Sequence, residues 1–262
     1  MSGIIKAIDL KFKYQHDDII TNISFEIPRG KITAIVGRNG TGKSTILKLL
    51  AGLLVPQAGN IFIGSQDLNT LTCQEISKKI AYLGQSNTLA FDLSVAELMQ
   101  LGVNVTSDHG INVSNESVDL AIENHGLNDL LNSRISSLSG GERQNAFLAF
   151  TMLRKPSYLL LDEPTNHLDV ANQLDFLGKL RRLADSKGLT IIIVLHDLNH
   201  AIKFTDNIIL VKSHLEVKSG APSDILQPTA IKECMNVDSE VLMGSDSSLI
   251  NFLANNRDRH TE

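Results

Sequence analysis

The sequence predicts an α/β fold built on a parallel sheet, on three observations. Apolar strand-like runs alternate with helical patterns along the chain. The glycine-rich stretch GRNGTGKST, Gly37–Thr45, sits between a buried-strand pattern, KITAIV, and a helix. The run TIIIVL, Thr190–Leu195, is apolar almost throughout, as a parallel strand covered on both faces must be.

The elements follow in order. Ile4–Tyr14, Ile23–Ile27 and Lys31–Val36 read as strands, with Pro28-Arg29-Gly30 as the turn between the last two. A helix is expected over Ser44–Leu53, stopped at Pro56, and a strand over Asn60–Gly64. Short helical stretches fill roughly 92–135, around a polar, Asn/Ser-rich loop at Val103–Glu116. Tyr158–Leu161 reads as a short central strand and about Ala171–Asp185 as a helix. Ile208–Val211 and Leu215–Ser219 suggest a hairpin, and beyond Pro228 the pattern is weak. The expected organisation is one domain over 1–262. Its core spans 1–85 and 141–230, with a helical subdomain at 86–140 and a C-terminal extension at 231–262.

Composition narrows the function classes. With 262 residues, 42% hydrophobic and 20% charged, the chain can bury a sizeable core. A net charge of −5 gives no argument for nucleic acid as a partner. Cys73 and Cys234 lie far apart without metal-type spacing and read as reduced thiols. MSGIIKAIDLKFKY alternates like a strand and lacks a signal-peptide core. The apolar run Ile191–Leu195 is far short of the ~20 residues a membrane helix needs. If the protein works at a membrane, another chain is expected to span it.

Gly37–Thr45 matches G-x-x-x-x-G-K-[ST] in the strand-to-helix context that this motif requires. Gly37, Arg38, Asn39, Gly40, Thr41, Gly42, Lys43, Ser44 and Thr45 form a loop whose backbone N–H groups can wrap a phosphate. Lys43 is expected at the β- and γ-phosphates and Ser44 on Mg²⁺. YLLLDEP ends a strand with Asp162, suited to hold the metal, and Glu163, suited to polarise an attacking water. The fold expectation is therefore a P-loop NTPase core with a parallel sheet, an N-terminal antiparallel β subdomain and an inserted α-helical subdomain.

LSGGERQN, Leu138–Asn145, supports two readings. Ser139 and Glu142 fit a capping box, with Phe147, Phe150 and Leu153 beyond at helical spacing. Gly140 and Gly141 each weaken a helix by about 1 kcal/mol relative to Ala, yet they open its N-terminus to an anion.

The order of these motifs resembles an ATP-binding cassette ATPase over nearly the whole chain. Leu138, Ser139, Gly140, Gly141, Glu142 and Gln144 match that family's signature, and Gln85 in AYLGQ matches its glutamine loop. Asn166–Asp169, with Asp169, stands at the D-loop; His196 matches the switch histidine; and Tyr14 stands where an aromatic stacks on adenine. His196 and His200 are four residues apart, with no further ligand at metal spacing. The resemblance implies Glu163, His196 and Lys43 as catalytic residues, with Ser44, Gln85 and Asp162 around Mg²⁺. It also implies a head-to-tail homodimer in which one chain's signature covers ATP on the other's P-loop. Asn145 departs from the family's usual arginine.

VLHDLNHA and GNIFIGSQDL are similar to the class importing iron–siderophore complexes, haem and cobalamin. That implies transmembrane permease subunits, a solute-binding protein acting indirectly, and a position on the cytoplasmic face of the membrane. Zinc/manganese importers and non-transport cassette ATPases remain alternatives. Leu89, Phe91 and Leu93 suit a permease-docking face or ordinary subdomain core.

Overall fold

The computed structural model describes residues 4–15, 17–85, 91–108, 113–213, 216–243 and 248–253. An antiparallel sheet comes first, from β1 (Ile5–Tyr14) and β2 (Asp17–Ile27). β3 (Ile32–Gly37) enters the main sheet and leads into α1 (Lys43–Leu50). β4 (Ala58–Ile63) and the short β5 (Gln66–Asp67) return to the first sheet, whose order is β2-β1-β4-β5. α2 (Cys73–Lys79) precedes β6 (Ile80–Leu83). α3 (Val95–Asp108), α4 (Asn115–Asn124) and α5 (Gly140–Met152) follow, then β7 (Tyr158–Leu161), α6 (Val170–Lys187) and β8 (Thr190–Val194). The chain continues through α7 (Leu198–Phe204), β9 (Asn207–Ser213), β10 (Glu216–Gly220), α8 (Pro222–Ile225), α9 (Pro228–Met235), β11 (Ser239–Met243) and β12 (Ser248–Phe252).

The main sheet has the order β10-β9-β3-β8-β7-β6 among the described residues. From β9 to β6 every pairing is parallel, and β10 closes one edge antiparallel. The central strands β3, β8 and β7 are buried throughout because both faces are covered, while the edge strand β10 is largely exposed. Ala34, Val36, Leu159, Leu161, Ile191 and Ile193 pack on one side with α3, α5 and α6. Ile35, Leu160, Ile192 and Val194 pack on the other, against α1 and the antiparallel sheet. The period-two alternation of strand side chains makes this division. Ile35, Leu160 and Ile192 are fully buried, and burying a side chain of this size contributes about 1.5–3 kcal/mol. In this order the ends of β3, β8 and β7 lie side by side, so loops far apart in sequence meet there.

Several sequence expectations shift. The helix expected at Ser44–Leu53 ends at Leu50, and Gly52 turns the chain with φ 69°. The strand expected at Ile23–Ile27 runs from Asp17, paired along its length with β1. Of the loop expected at Val103–Glu116, Val103–Asp108 completes α3 and Asn115 already belongs to α4. The buried Thr106 hydroxyl donates back to the Gly102 carbonyl, so its polar group is satisfied inside the helix. Beyond Pro228, where no pattern was legible, α9 and the β11–β12 hairpin pack onto the core. Among the described residues, no helix is long and apolar enough to cross a membrane.

Candidate functional site

The loop after β3 is shaped by its own backbone. Gly37 has φ 154°, and a Cβ there would lie 2.4 Å from the Val211 carbonyl of β9. No side chain fits, so the loop can lie close against the neighbouring strand. Gly42 is the N-cap of α1 with φ 92° and offers no side-chain cap. The first N–H groups of α1 are thus left open, in the arrangement that attracts an anion. Lys43 is 5% exposed, and its ammonium donates to the carbonyls of Gly37 (3.0 Å) and Arg38 (2.8 Å). Burial lowers its pKa, opposed mainly by the charge of Glu163.

Asp162 and Glu163 follow β7. The Ser44 hydroxyl donates to Asp162 Oδ1 at 2.8 Å. Tyr82 of β6 donates its phenol to Asp162 Oδ2 at 3.2 Å, and burial pushes that phenol's pKa up, which keeps it a donor. Glu163 adopts φ 51°, an uncommon conformation for a residue with a side chain. Three segments hold its carboxylate there. Gln85 donates to Oε2 at 3.0 Å, Asn166 donates to Oε2 at 2.5 Å, and His196 Nε2 lies 2.7 Å from Oε1.

These groups surround a cleft of about 540 Å³ lined by Asn39, Gly40, Gly42, Lys43, Ser44 and Thr45, by Gln85, Glu163, Asn166 and His196, and by Ile19. Other expected residues lie outside it. Tyr14 sits at the end of β1, 42% exposed, edge-on to Phe12 with ring centroids 4.8 Å apart. Thr41 turns its hydroxyl to the Arg38 carbonyl. Leu138–Gln144 and Asp169 form a separate surface at the starts of α5 and α6.

At that second surface the capping box is complete. Glu142 Oε2 accepts from the Ser139 N–H at 2.9 Å and from its hydroxyl at 2.7 Å, while the Glu142 N–H donates to Ser139 Oγ at 3.4 Å. Asp169 caps α6 by accepting from the Asn172 N–H at 2.8 Å and side-chain amide at 2.9 Å. A Cβ on Gly141 would lie 2.9 Å from Asn172 Oδ1, so Gly141 lets α5 and α6 start in close contact. Lys179 donates to Asn145 at 3.2 Å and pairs with Asp175 at 2.8 Å, which gives Asn145 a partner within the chain.

The geometry joins an open phosphate loop, a buried lysine, a hydroxyl–carboxylate pair and a second, tightly held carboxylate. Residues 20–166 match the family described as ABC transporter. The chain belongs to the ABC transporter family. It is an ATP-binding ATPase. The cassette is 34% identical to the iron(3+)-hydroxamate import ATP-binding protein FhuC of Bacillus subtilis over 86% of this chain and 84% of that one. It is 33% identical to the hemin import ATP-binding protein HmuV of Rhodopseudomonas palustris over 95% and 96%. The solved structure of cbiO1 from Clostridium perfringens, part of the ABC transporter complex cbiONQ, superposes with a TM-score of 0.76. Its identity is 26%, covering 88% of this chain and 93% of that one.

Two contacts of this cassette were not legible as contacts in sequence. Tyr82 reaches Asp162 only because β6 pairs with β7 in the register Tyr82–Leu160, Leu83–Leu161. Asn166, readable only as part of the D-loop, turns back to Glu163 because the chain after β7 bends at once.

Proposed function

We propose that this cassette drives a membrane importer of iron chelates, siderophore or haem, by hydrolysing ATP at the cleft between β3, β7 and β8. The grip on Glu163 carries the proposal. One carboxylate receives Gln85 from the glutamine loop, Asn166 from the D-loop and His196 from the end of β8. In the proposed reaction ATP lies along the loop, with its phosphates on the N–H groups of Asn39–Thr45 and on Lys43. Lys43 exchanges its two carbonyl partners for phosphate oxygens. The Ser44 hydroxyl and the Asp162 carboxylate are hard oxygen donors 2.8 Å apart, a pair that suits Mg²⁺, with Gln85 beside them. Mg²⁺ bound with ATP supplies neutralisation of phosphate charge. Glu163 accepts a proton from the attacking water, and His196 holds Glu163 and the γ-phosphate in register. Tyr14, which does not line the cleft, is the proposed stacking partner of adenine beyond it.

The proposed working unit is a head-to-tail homodimer, with Leu138–Gln144 and Asp169 of one copy facing ATP on the other. The permease partner docks on the cytoplasmic side near Gln85. Phe91, 78% exposed just before α3, supports that surface; Leu89 lies outside the described residues. The names of the relatives support iron chelates as cargo, recognised by the permease and solute-binding protein rather than by this subunit.

Replacement of the native gene by Glu163→Gln tests the proposal. ATP binding is expected to persist, hydrolysis to fall by about 10² or more, and cellular uptake of the cognate iron-55 siderophore or haem to stop. Native hydrolysis would remove Glu163 as the base. Native uptake of all these chelates, with hydrolysis lost, would remove the transport reading.

A further inference from the structure

A second cavity, of about 300 Å³, lies away from the nucleotide cleft, walled by α4, the end of α5 and α6. That is the lower end of the range for small-molecule sites. Its floor is apolar: Leu120, Met152, Leu153 and Leu183. Around it stand four cations, Lys155, Lys179, Arg182 and Lys187, and among the described residues no carboxylate lines it. Lys179 is partly neutralised by Asp175. Among the described residues Lys155, Arg182 and Lys187 have no carboxylate partner. In a chain of net charge −5, this is a local concentration of positive charge.

His125 also lines this cavity and is 5% exposed, and its Nδ1 has no hydrogen-bond partner among the described residues. It ends α4, and the next residue, Gly126 (φ 68°), closes the helix with its N–H on the Glu123 carbonyl, while Leu127 donates to the Ile122 carbonyl. A buried ring nitrogen normally has a partner. Burial, with the charges of Lys179 and Lys187, holds His125 neutral, with its pKa lowered to about 4. A neutral imidazole can still donate one hydrogen bond to an oxygen.

We propose that this cavity binds an anionic amphiphile, one headgroup oxygen on His125, the negative charge among Lys155, Arg182 and Lys187, and the hydrocarbon on the leucine and methionine floor. An inorganic anion would leave the floor unused, and a neutral apolar molecule would leave the cations and His125 unanswered. The headgroup is a carboxylate or phosphate, from a free acid or from the bilayer.

The full chain, labelled at histidine, is titrated with sodium decanoate, with 1-decanol, and with vesicles of phosphatidylglycerol or phosphatidylcholine. Decanoate is expected to saturate at one per chain and shift the His125 ring signals, with decanol binding at least about tenfold more weakly. Arg182→Gln with Lys187→Gln should weaken decanoate on the order of tenfold. Leu120→Asp, at a half-exposed position that tolerates a polar residue, should abolish it. Unchanged thermal unfolding of each variant establishes that the fold is intact. A His125 shift with phosphatidylglycerol vesicles alone would assign the anion to the bilayer and support the site. Unmoved His125 signals in every titration, or decanol binding as tightly as decanoate, would overturn the proposal.

Discussion

Two helices of this cassette begin at glycines, and the two starts are finished in opposite ways. α1 begins after Gly42, in a left-handed conformation, with no side chain over its first N–H groups. α5 begins after Ser139, whose N–H and hydroxyl are taken by the Glu142 carboxylate and whose Oγ takes the Glu142 N–H. Both ends attract negative charge through free N–H groups and the helix dipole. At α1 the place is left for phosphate from outside. At α5 the chain closes the N-cap and the third N–H with its own Ser139–Glu142 pair, and no bond to the Gly140 or Gly141 N–H occurs among the described residues. A glycine pair therefore does not by itself identify an anion site. Gly141 has a local duty as well, since a side chain there would strike Asn172. In a single chain the start of α5 is a capped helix end, and only a second copy facing it would give it phosphate to touch.

The largest effect that could break this contrast comes from mixing two inactive variants, Lys43→Ala and Ser139→Arg. Each homodimer should be nearly inactive. The first lacks the cation on the phosphates and the second places a bulky cation where the γ-phosphate must sit. In a mixed dimer both lesions fall on one composite site and the other site is intact. Mixing should restore ATPase activity, up to about half per mixed dimer if the sites fire independently. No rescue, with heterodimers demonstrated by tag pull-down and the sites shown not to require each other, would leave Ser139 as a helix cap alone.

Much of this was legible because the phosphate side is local. Asp162, Glu163 and His196 follow apolar runs that announce themselves as buried strands, Lys43 and Ser44 open the helix after a third, and three adjacent parallel strands bring them together. The capping box was legible for the same reason, since Ser139 and Glu142 are three residues apart. α2 has the same kind of start, Thr72 with Glu75, but it buries no residue and so carries no apolar stripe to mark the helix. The β11–β12 hairpin is held by distant contacts. The Asn199 side chain on α7 donates to the Ile250 carbonyl and accepts its N–H at 3.2 and 2.7 Å. Nothing near Ile250 in sequence encodes that clamp. Tyr82 belongs with it, since its role depends on strand register.

Tyr82→Phe sharpens the α1 side of the comparison. The phenylalanine keeps the ring and removes only the donor to Asp162 Oδ2. Hydrogen bonds to charged groups contribute about 1.5–3 kcal/mol, and here part of that holds Asp162 turned toward Ser44. The Mg²⁺ concentration for half-maximal ATPase should rise about tenfold. Turnover at saturating Mg²⁺ should change by less than about threefold, because Tyr82 does not line the cleft. A large fall in turnover with unchanged Mg²⁺ dependence would mean that Tyr82 acts on the chemical step instead.

The smallest effect probes the α5 side. Glu142 does two separable things: it caps the helix and it places a negative charge where phosphate would approach. Hydrogen bonds from the Ser139 side chain, then from its backbone, hold the Glu142 pKa below its ordinary value, so the charge is present at neutral pH. Glu142→Gln keeps an acceptor for the capping box and removes the charge. Its melting temperature should stay within about a degree of native, while ATP-driven dimerisation should need about two- to fivefold less ATP. Glu142→Ala removes both functions and should lose about 0.5–1 kcal/mol of stability, or about 2–3 °C in a chain this size. Calorimetry and ATP-dependent size exclusion on the two variants separate capping from repulsion. If Glu142→Gln instead weakens ATP-driven dimerisation as much as Glu142→Ala, the carboxylate makes an attractive contact with the second copy. It would then not be a stand-in anion, and the contrast between the two helix starts would rest on the glycines alone.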